Sequence, residues 1–364
     1  MKIVYVTPRY RPYHGGIEEA VGEVSERLSA RGHKVLVLTT DPSGLLSARE
    51  VLNGVEVRRL RSLAPSDSYY LPVGLFEAVR RSEADVIHAH SFHALPSLIA
   101  AIARGNRRFI ISPHYHGHAH SSFREGIFHI YKKTALRAVV ETSEKILCVS
   151  EYERTLIERD FPNSLAKTLV IPNGVNLEEL RKVRWCPGPE GMKILYVGRV
   201  ESYKNLDRLI EAVGVLRERG VKVGLTIVGR GPHELPLKRL AKGLGVAELI
   251  DWKEDLTKEE LYGEYSSSNV FVLLSTDEAF GIAAAEAMVI GLPTVLANAS
   301  VLSSYIEKGF ALGVDPPFDP SAVADRVLEA LLGGPPDVEH VRRHFLSWEE
   351  VVERLEGVYE GLRG

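Results

Sequence analysis

The 364-residue chain has no glutamine, and only three methionines, three tryptophans and two cysteines. Cys148 and Cys186 lie far apart and neither belongs to a Cys-x-x-Cys pair, which argues against a disulfide framework or a thiolate metal site and points to a reducing compartment. Scarcity of thermolabile residues points to a thermophilic source or to a biased genome composition. No stretch reaches the roughly 18 apolar residues of a membrane span, and the opening MKIVYVTPRY is too short in apolar residues for a signal peptide. The expectation is a cytoplasmic protein, at most peripheral to the inner face of the cell membrane. Neither sign of charge dominates: 45 Lys and Arg stand against 48 Asp and Glu, so no strong field draws the chain to nucleic acid. Low-complexity segments, long repeats and any Asp-x-Asp are missing as well.

The length favours two domains over one. Short β-branched runs alternate with helical patterns at residues 3–7, 34–39, 55–60, 85–89, 108–112, 145–149 and 168–171, and afresh at 193–198, 223–228, 248–251, 269–274 and 293–297. Such alternation reads as βα units around parallel sheets, hence an α/β chain of two Rossmann-like, doubly wound domains. The turn signal in VIPNGVNLEEL sets the boundary, giving an N-terminal domain 1–171, a second domain 172–345 and a final helix 346–364. Apolar residues at Val351, Val352, Leu355, Val358, Tyr359 and Leu362 make that last stretch helical, capping the second domain or crossing back to the first. Ligands of open α/β sheets sit beyond the carboxyl ends of strands, so a substrate cleft is expected between the halves.

Residues 112–121, SPHYHGHAHS, place His114, His116, His118 and His120 at every second position, after His88 and His90 in DVIHAH. In an extended strand this spacing converges four imidazoles on one face. A metal site would need such convergence plus a third ligand, whereas a polar cleft would use the same imidazoles on hydroxyl groups; beyond Gly117, a loop would break the pattern.

Elsewhere the chemistry-bearing residues follow predicted strand ends. Gly15 and Gly16 separate the first strand from a helix, where backbone amides can approach an anion or simply make a turn. YVGRVESYKNLDRL supplies Arg199 and Lys204 beyond a strand ending at Gly198, two cations able to clamp a diphosphate or to sit solvated. IVGRGP adds Gly229 and Gly231 in another close-approach loop. STDEAFGIAAAEAMVIGLPTVLA carries Glu278 in a loop, Gly281 at a helix start and Glu286 in the first turns, where an acidic residue is also an ordinary partner of the helix dipole.

Along nearly the whole chain the set GGIEE, IPNGVN, VGRVESYKNLDRLIEA, IVGRGP, EAFGIAAAEAMVIGLPTV and WEEVVERLEGVYEGL resembles the retaining GT-B glycosyltransferases of family 4. The resemblance implies a UDP- or GDP-sugar donor held mainly by the second domain. Glu286 would bind the ribose and Glu278 the sugar hydroxyls. Arg199 and Lys204 would neutralise the departing diphosphate, with Gly229, Phe280, Gly281 and Ile282 lining the donor and the amides of Gly15 and Gly16 completing a phosphate cradle. It implies no cofactor and no metal, and a histidine, His114 before His116, facing the sugar and a carbohydrate, lipid-linked or polyol acceptor. A nucleotide-sugar epimerase or hydrolase, or a non-catalytic sugar-nucleotide binder, are the competing readings.

Two stretches depart or add. After PTV the family commonly has Gly-Gly and then Glu, whereas this chain has LANASVLSSYIEKG, with Ser303 or Ser304 near the expected Glu. LRSLAPSDSYYLPVG is expected as an acceptor loop. Residues 121–143, with Arg124, Lys132, Lys133 and Arg137 beside Ile127, Phe128, Tyr131 and Leu136, would form either a packed, solvated helix or a weak contact with an anionic lipid surface.

Overall fold

A computed structural model describes residues 1–66, 69–117, 129–188 and 191–362. The chain divides into two compact units, Met1–Gly174 together with Trp348–Gly364, and Val175–Ser347. The first division falls at the end of the Pro172-Asn173-Gly174 turn signal, three residues beyond the expected boundary. The second returns the last helix to the first unit.

The first unit holds β1 (Lys2–Val6), β2 (Lys34–Asp41), β3 (Arg49–Leu52), β4 (Val55–Ser66), β5 (Tyr69–Pro72), β6 (Val86–His90), β7 (Arg108–Ser112), β8 (Lys145–Cys148) and β9 (Thr168–Val170). Their order is β3-β4-β2-β1-β6-β7-β8-β9, with β5 on β4. From β4 to β9 the pairing is parallel, and β6 is buried at every position, as a strand covered by helices on both faces requires. The β3 and β5 pairings to β4 are antiparallel. LRSLAPSDSYYLPVG, expected as a loop, is therefore chiefly the end of β4 and the whole of β5. β3 escapes the sequence pattern because a short, half-exposed edge strand has no continuous apolar run.

β10 (Gly174–Val175) stands at the unit boundary. The second unit has β11 (Met192–Val197), β12 (Val223–Val228), β13 (Ile250–Lys253), β14 (Val270–Leu273), β15 (Thr294–Ala297) and β16 (Leu312–Val314), followed by β17 (Leu346–Ser347), which pairs with β10. The main sheet is wholly parallel in the order β13-β12-β11-β14-β15-β16. The expected strand 248–251 is displaced to 250–253, because Ala247–Leu249 closes a 3₁₀ turn first.

The final helix, Trp348–Gly361, buries Trp348, Val351, Val352, Leu355 and Tyr359 in the first unit, against the helix Gly16–Ala30 among others. Arg27 pairs with Glu349 at 2.7 Å and Arg31 with Glu356 at 2.7 Å. The glycine of Pro-Asn-Gly has a specific cause. A Cβ on Gly174 would lie 2.7 Å from the Trp348 backbone nitrogen, so only glycine lets the chain pass there.

Truncating this helix's buried face should cost as core truncation does. Leu355→Ala is expected to lower stability by about 2–5 kcal/mol. Leu332→Ala, at a side chain 90% exposed, should change it by less than about 0.5 kcal/mol. Denaturant unfolding followed by tryptophan fluorescence checks both.

Candidate active site

The parallel part of each main sheet reverses its strand order once, between β1 and β6 in the first unit and between β11 and β14 in the second. The loops leaving such neighbours diverge, and a crevice opens at their carboxyl ends. The residues singled out from the sequence gather at these two places.

In the second unit, β11 ends at Val197 and the chain turns through Arg199 into a 3₁₀ turn, Ser202–Lys204. β14 ends at Leu273 and leads to Glu278. The Lys204 ammonium donates to Glu278 Oε1, joining the two loops across the reversal. Both side chains are largely buried, at 10% and 14% exposure. Burial alone would lower the Lys204 pKa, but the adjacent carboxylate more than reverses this, and the ammonium is held above its ordinary value. Asn205, in a left-handed conformation, donates to Leu274 O at 2.8 Å and to Tyr203 O at 3.0 Å, stitching the same two loops. Arg199, one-third exposed, donates to Glu201 at 2.6 Å.

Gly281 precedes the helix Ile282–Ile290 with φ 78° and no side-chain cap, so the first amides of that helix lack a partner from the cap residue's side chain. Glu286 sits in the second turn, not the first, so a role as first-turn dipole partner does not explain it. The Tyr265 hydroxyl donates to Glu286 Oε2 at 3.0 Å. Burial, then the negative charge of Glu286, raises the Tyr265 pKa well above the ordinary phenol value, so the hydroxyl stays a donor. Ser300 Oγ accepts from the Glu278 N–H at 3.2 Å, which places the start of the divergent stretch behind Glu278.

Other expectations need correcting. The Phe280 ring is buried beside Phe345 at 6.1 Å, and its carbonyl accepts from Tyr305 at 2.9 Å, so its side chain is core and not a donor contact. A Cβ on Gly229 would fall 2.1 Å from Gly198 O, and one on Gly231 2.1 Å from Val200 O. The close approach these glycines serve is loop on loop. At Gly15 the Glu18 carboxylate, held by Arg9 at 2.9 Å, occupies the space where a Cβ would stand. The small residue there accommodates the chain's own carboxylate, and an incoming phosphate would meet that charge.

In the first unit β7 stops at Ser112, and His114 takes φ 45°. The alternating histidines therefore do not share a strand face, and His118 and His120 lie outside the described residues. His88 is fully engaged: Nδ1 with the Tyr359 hydroxyl at 2.8 Å and Nε2 with Ser112 Oγ at 2.9 Å. Tyr359 also meets Tyr5 at 2.7 Å. His90 Nδ1 bonds to His114 Nε2 at 3.1 Å, and His116 stacks on His93 with ring centres 5.6 Å apart. Burial, with the His114 charge, holds His88 down to about 3. Burial holds His114 down to about 4. Burial also holds His90 well below its ordinary value, so His88, His90 and His114 are neutral at pH 7, and the three line one small cavity with Tyr5 and Ser112. Among the described residues no three His, Cys, Asp or Glu side chains are grouped to hold a metal ion.

The proposed lipid-facing stretch is described only from residue 129. There Leu136 is buried, Tyr131 packs on the core, and Lys132 pairs with Asp160 at 3.2 Å, which favours a packed helix over a lipid contact. Arg124, Ile127 and Phe128 lie outside the described residues. Among those described, no helix is long and apolar enough to cross a membrane.

Sequence reasoning missed Tyr265 and Asn205. The first carries no motif signal. The second sits in KNLDRL just ahead of a helix, and asparagine is among the few non-glycine residues that adopt a left-handed conformation.

Two family models match the chain, Glycosyltransferase Family 4 over residues 14–179 and Glycosyl transferases group 1 over 187–343. The GDP-mannose:cellobiosyl-diphosphopolyprenol alpha-mannosyltransferase of Xanthomonas oryzae pv. oryzae is 26% identical, covering 100% of this chain and 98% of its own. The D-inositol 3-phosphate glycosyltransferase of Geodermatophilus obscurus is 28% identical over 95% of this chain and 84% of its own. Among solved structures, sucrose-phosphate synthase from Thermosynechococcus elongatus superposes with a TM-score of 0.80 at 20% identity, covering 99% of this chain and 98% of its own. Anabaena HepE in complex with UDP and glucose superposes with 0.78 at 16% identity, covering 99% of both chains.

Removing one partner of the Lys204–Glu278 pair should be costly. Glu278→Ala leaves a buried ammonium alone and is expected to lower stability by about 3–5 kcal/mol. Adding Lys204→Met should recover a large part of that loss, which a double-mutant cycle by thermal unfolding measures.

Proposed function

This chain belongs to the group 1, family 4 glycosyl transferases of GT-B fold, and we propose that it moves a sugar from a UDP- or GDP-sugar to a hydroxyl acceptor with retention and without a divalent metal. The observation that carries the reading is the Lys204–Glu278 pair across the strand-order reversal of the second unit. A diphosphate entering there would take over the Lys204 ammonium, and Arg199 would add a second cation. Two fixed cations supply the leaving-group stabilisation that a metal ion supplies in other enzymes. Glu278, released from Lys204, would accept hydrogen bonds from sugar hydroxyls. Glu286, oriented by Tyr265, would accept from the ribose. The amides of Ile282 and Ala283, at a helix start with no side-chain cap, suit a phosphate oxygen.

In the transfer itself the bond from the sugar's anomeric carbon to the phosphate oxygen breaks. The acceptor oxygen bonds to that carbon on the same face, and the acceptor's proton passes to the departing phosphate. No protein base is required. His114, neutral and tied to His90, would place a sugar or acceptor hydroxyl without delivering charge. Gly15 and Gly16 would contribute backbone amides only once Glu18 moves aside. The acceptor is a carbohydrate, lipid-linked glycan or polyol; one relative's name carries a lipid-linked disaccharide and another's an inositol phosphate.

A thermal-shift panel of UDP-, GDP- and ADP-sugars tests the donor. A true donor at a hundred times its dissociation constant adds about 2.7 kcal/mol. Turnover should survive exhaustive EDTA treatment, with the product's anomeric configuration, read by NMR, matching the donor's. Activity lost to EDTA and restored by a metal, or an inverted product, contradicts the proposal.

A further inference from the structure

Tyr115 stands between His114 and His116, and one helix holds it at both ends. Glu153 lies near the start of the helix Glu151–Asp160 and Asp160 at its end. Glu153 Oε1 accepts from the Tyr115 N–H at 2.6 Å, and its Oε2 from the Val149 N–H at 2.7 Å. Asp160 Oδ2 accepts from the Tyr115 hydroxyl at 2.6 Å. Ser150 caps the helix, its Oγ accepting from the Glu153 N–H at 3.1 Å. A Ser-x-x-Glu start ordinarily sends the glutamate back to the cap residue's own N–H. Here the carboxylate goes instead to the loop after β7 and to the end of β8.

That diversion is expensive for mere packing. Glu153 is completely buried, at 0% exposure, and a buried carboxylate is tolerated only when hydrogen-bonded. His114, next to the bond it makes, holds a left-handed conformation that a non-glycine residue keeps only when its surroundings impose it. We propose that Glu153 is the positioning residue for His114: by accepting the Tyr115 N–H it fixes the turn at residue 114 and so the imidazole beside His90. This rests on the reading of His114 as the histidine that places a substrate hydroxyl.

The arrangement has a consequence in pH. Burial pushes the Glu153 carboxyl up to about 7, against the two backbone N–H groups that pull it down. As pH falls through that value the group gains a proton, and one oxygen that accepted a backbone N–H becomes a hydroxyl. His114 stays neutral until about 4, so a loss of turnover near 7 belongs to the tether and not to the imidazole. The other ionisable groups on the packed segments are Lys145 and the Cys148 thiol of β8, the thiol raised by burial, the His114 and His116 imidazoles on the loop, Asp160 with Arg159 and Lys132 at the Tyr115 hydroxyl, and Glu151, Tyr152, Arg154 and Glu158 on the helix itself. Stability runs the other way. A carboxyl raised in the folded chain binds its proton more tightly there than in the unfolded one, so its contribution falls as pH rises from the ordinary carboxylate range to about 7.

Glu153→Gln tests the inference, because it is nearly isosteric, cannot titrate and offers one acceptor where two are needed. The expected result is a turnover lowered roughly 10- to 100-fold with the donor KM unchanged, as for a small misplacement of a reacting group. The parent's acid limb near pH 7 should vanish from the variant's profile, and hydrogen exchange at the Tyr115 amide should quicken. Parental turnover with a parental pH profile overturns the inference. Should Glu153→Gln fail to fold, Asp160→Ala removes the acceptor of the Tyr115 hydroxyl and so releases the other hold: reduced turnover with the acid limb retained supports the inference, and parental turnover overturns it. A parent inactive with every nucleotide sugar overturns the transferase reading and the inference with it. An active parent beside an indifferent Glu153→Gln overturns the inference alone.

Discussion

A single buried ion pair at the reversal of strand order organises the second unit. β11 and β14 are neighbours in the sheet yet leave it toward opposite sides, and the loops that follow them have no ladder to hold them together. Lys204 and Glu278 supply that tie, reinforced by Asn205 on the Leu274 carbonyl and Ser300 on the Glu278 amide. A pair of this kind is weak evidence for stability, since desolvating two charges offsets much of their attraction. Its better justification is chemical. An ammonium already desolvated and held charged at the carboxyl end of a sheet meets a diphosphate without further reorganisation.

The first unit applies burial differently. Its imidazoles are close together, stacked and stripped of water, and the result is a set of neutral groups in place of a cationic cluster. The final helix contributes to this interior directly: Tyr359, 271 residues from His88 in sequence, bonds to its ring and to Tyr5. Two residues near opposite ends of the chain thus meet inside one unit, and the tight passage of Gly174 beside Trp348 belongs to the same return.

The central parallel strands were legible because they are apolar runs covered on both faces, as at 108–112 and 223–228, whereas the short, half-buried β16 at 312–314 was not. The edge strand β3 was not, since a short, half-exposed strand has no continuous apolar run. Arg199, Lys204, Glu278 and Glu286 were each visible at strand or helix ends. What could not be read was that Lys204 meets Glu278, because that contact depends on β11 and β14 being adjacent, a fact of topology and not of spacing. The histidines misled for a local reason: period-two spacing has meaning only while the strand lasts, and Pro113, without an N–H for the next rung, marks where it stops. Glu153 did carry a sequence signal, Ser-x-x-Glu, but the destination of its carboxylate is set by the fold.

The most direct test of the account is calorimetric binding of a nucleoside diphosphate and of the matching monophosphate to the parent and to Lys204→Met, both free of divalent metal. If Lys204 seats the second phosphate, the parent should prefer the diphosphate by about tenfold or more, equivalent to about 1.4 kcal/mol, and the variant should lose most of that preference while binding the monophosphate as before. A variant that keeps the parental preference for the diphosphate would place the phosphates away from the strand-order reversal and contradict the account.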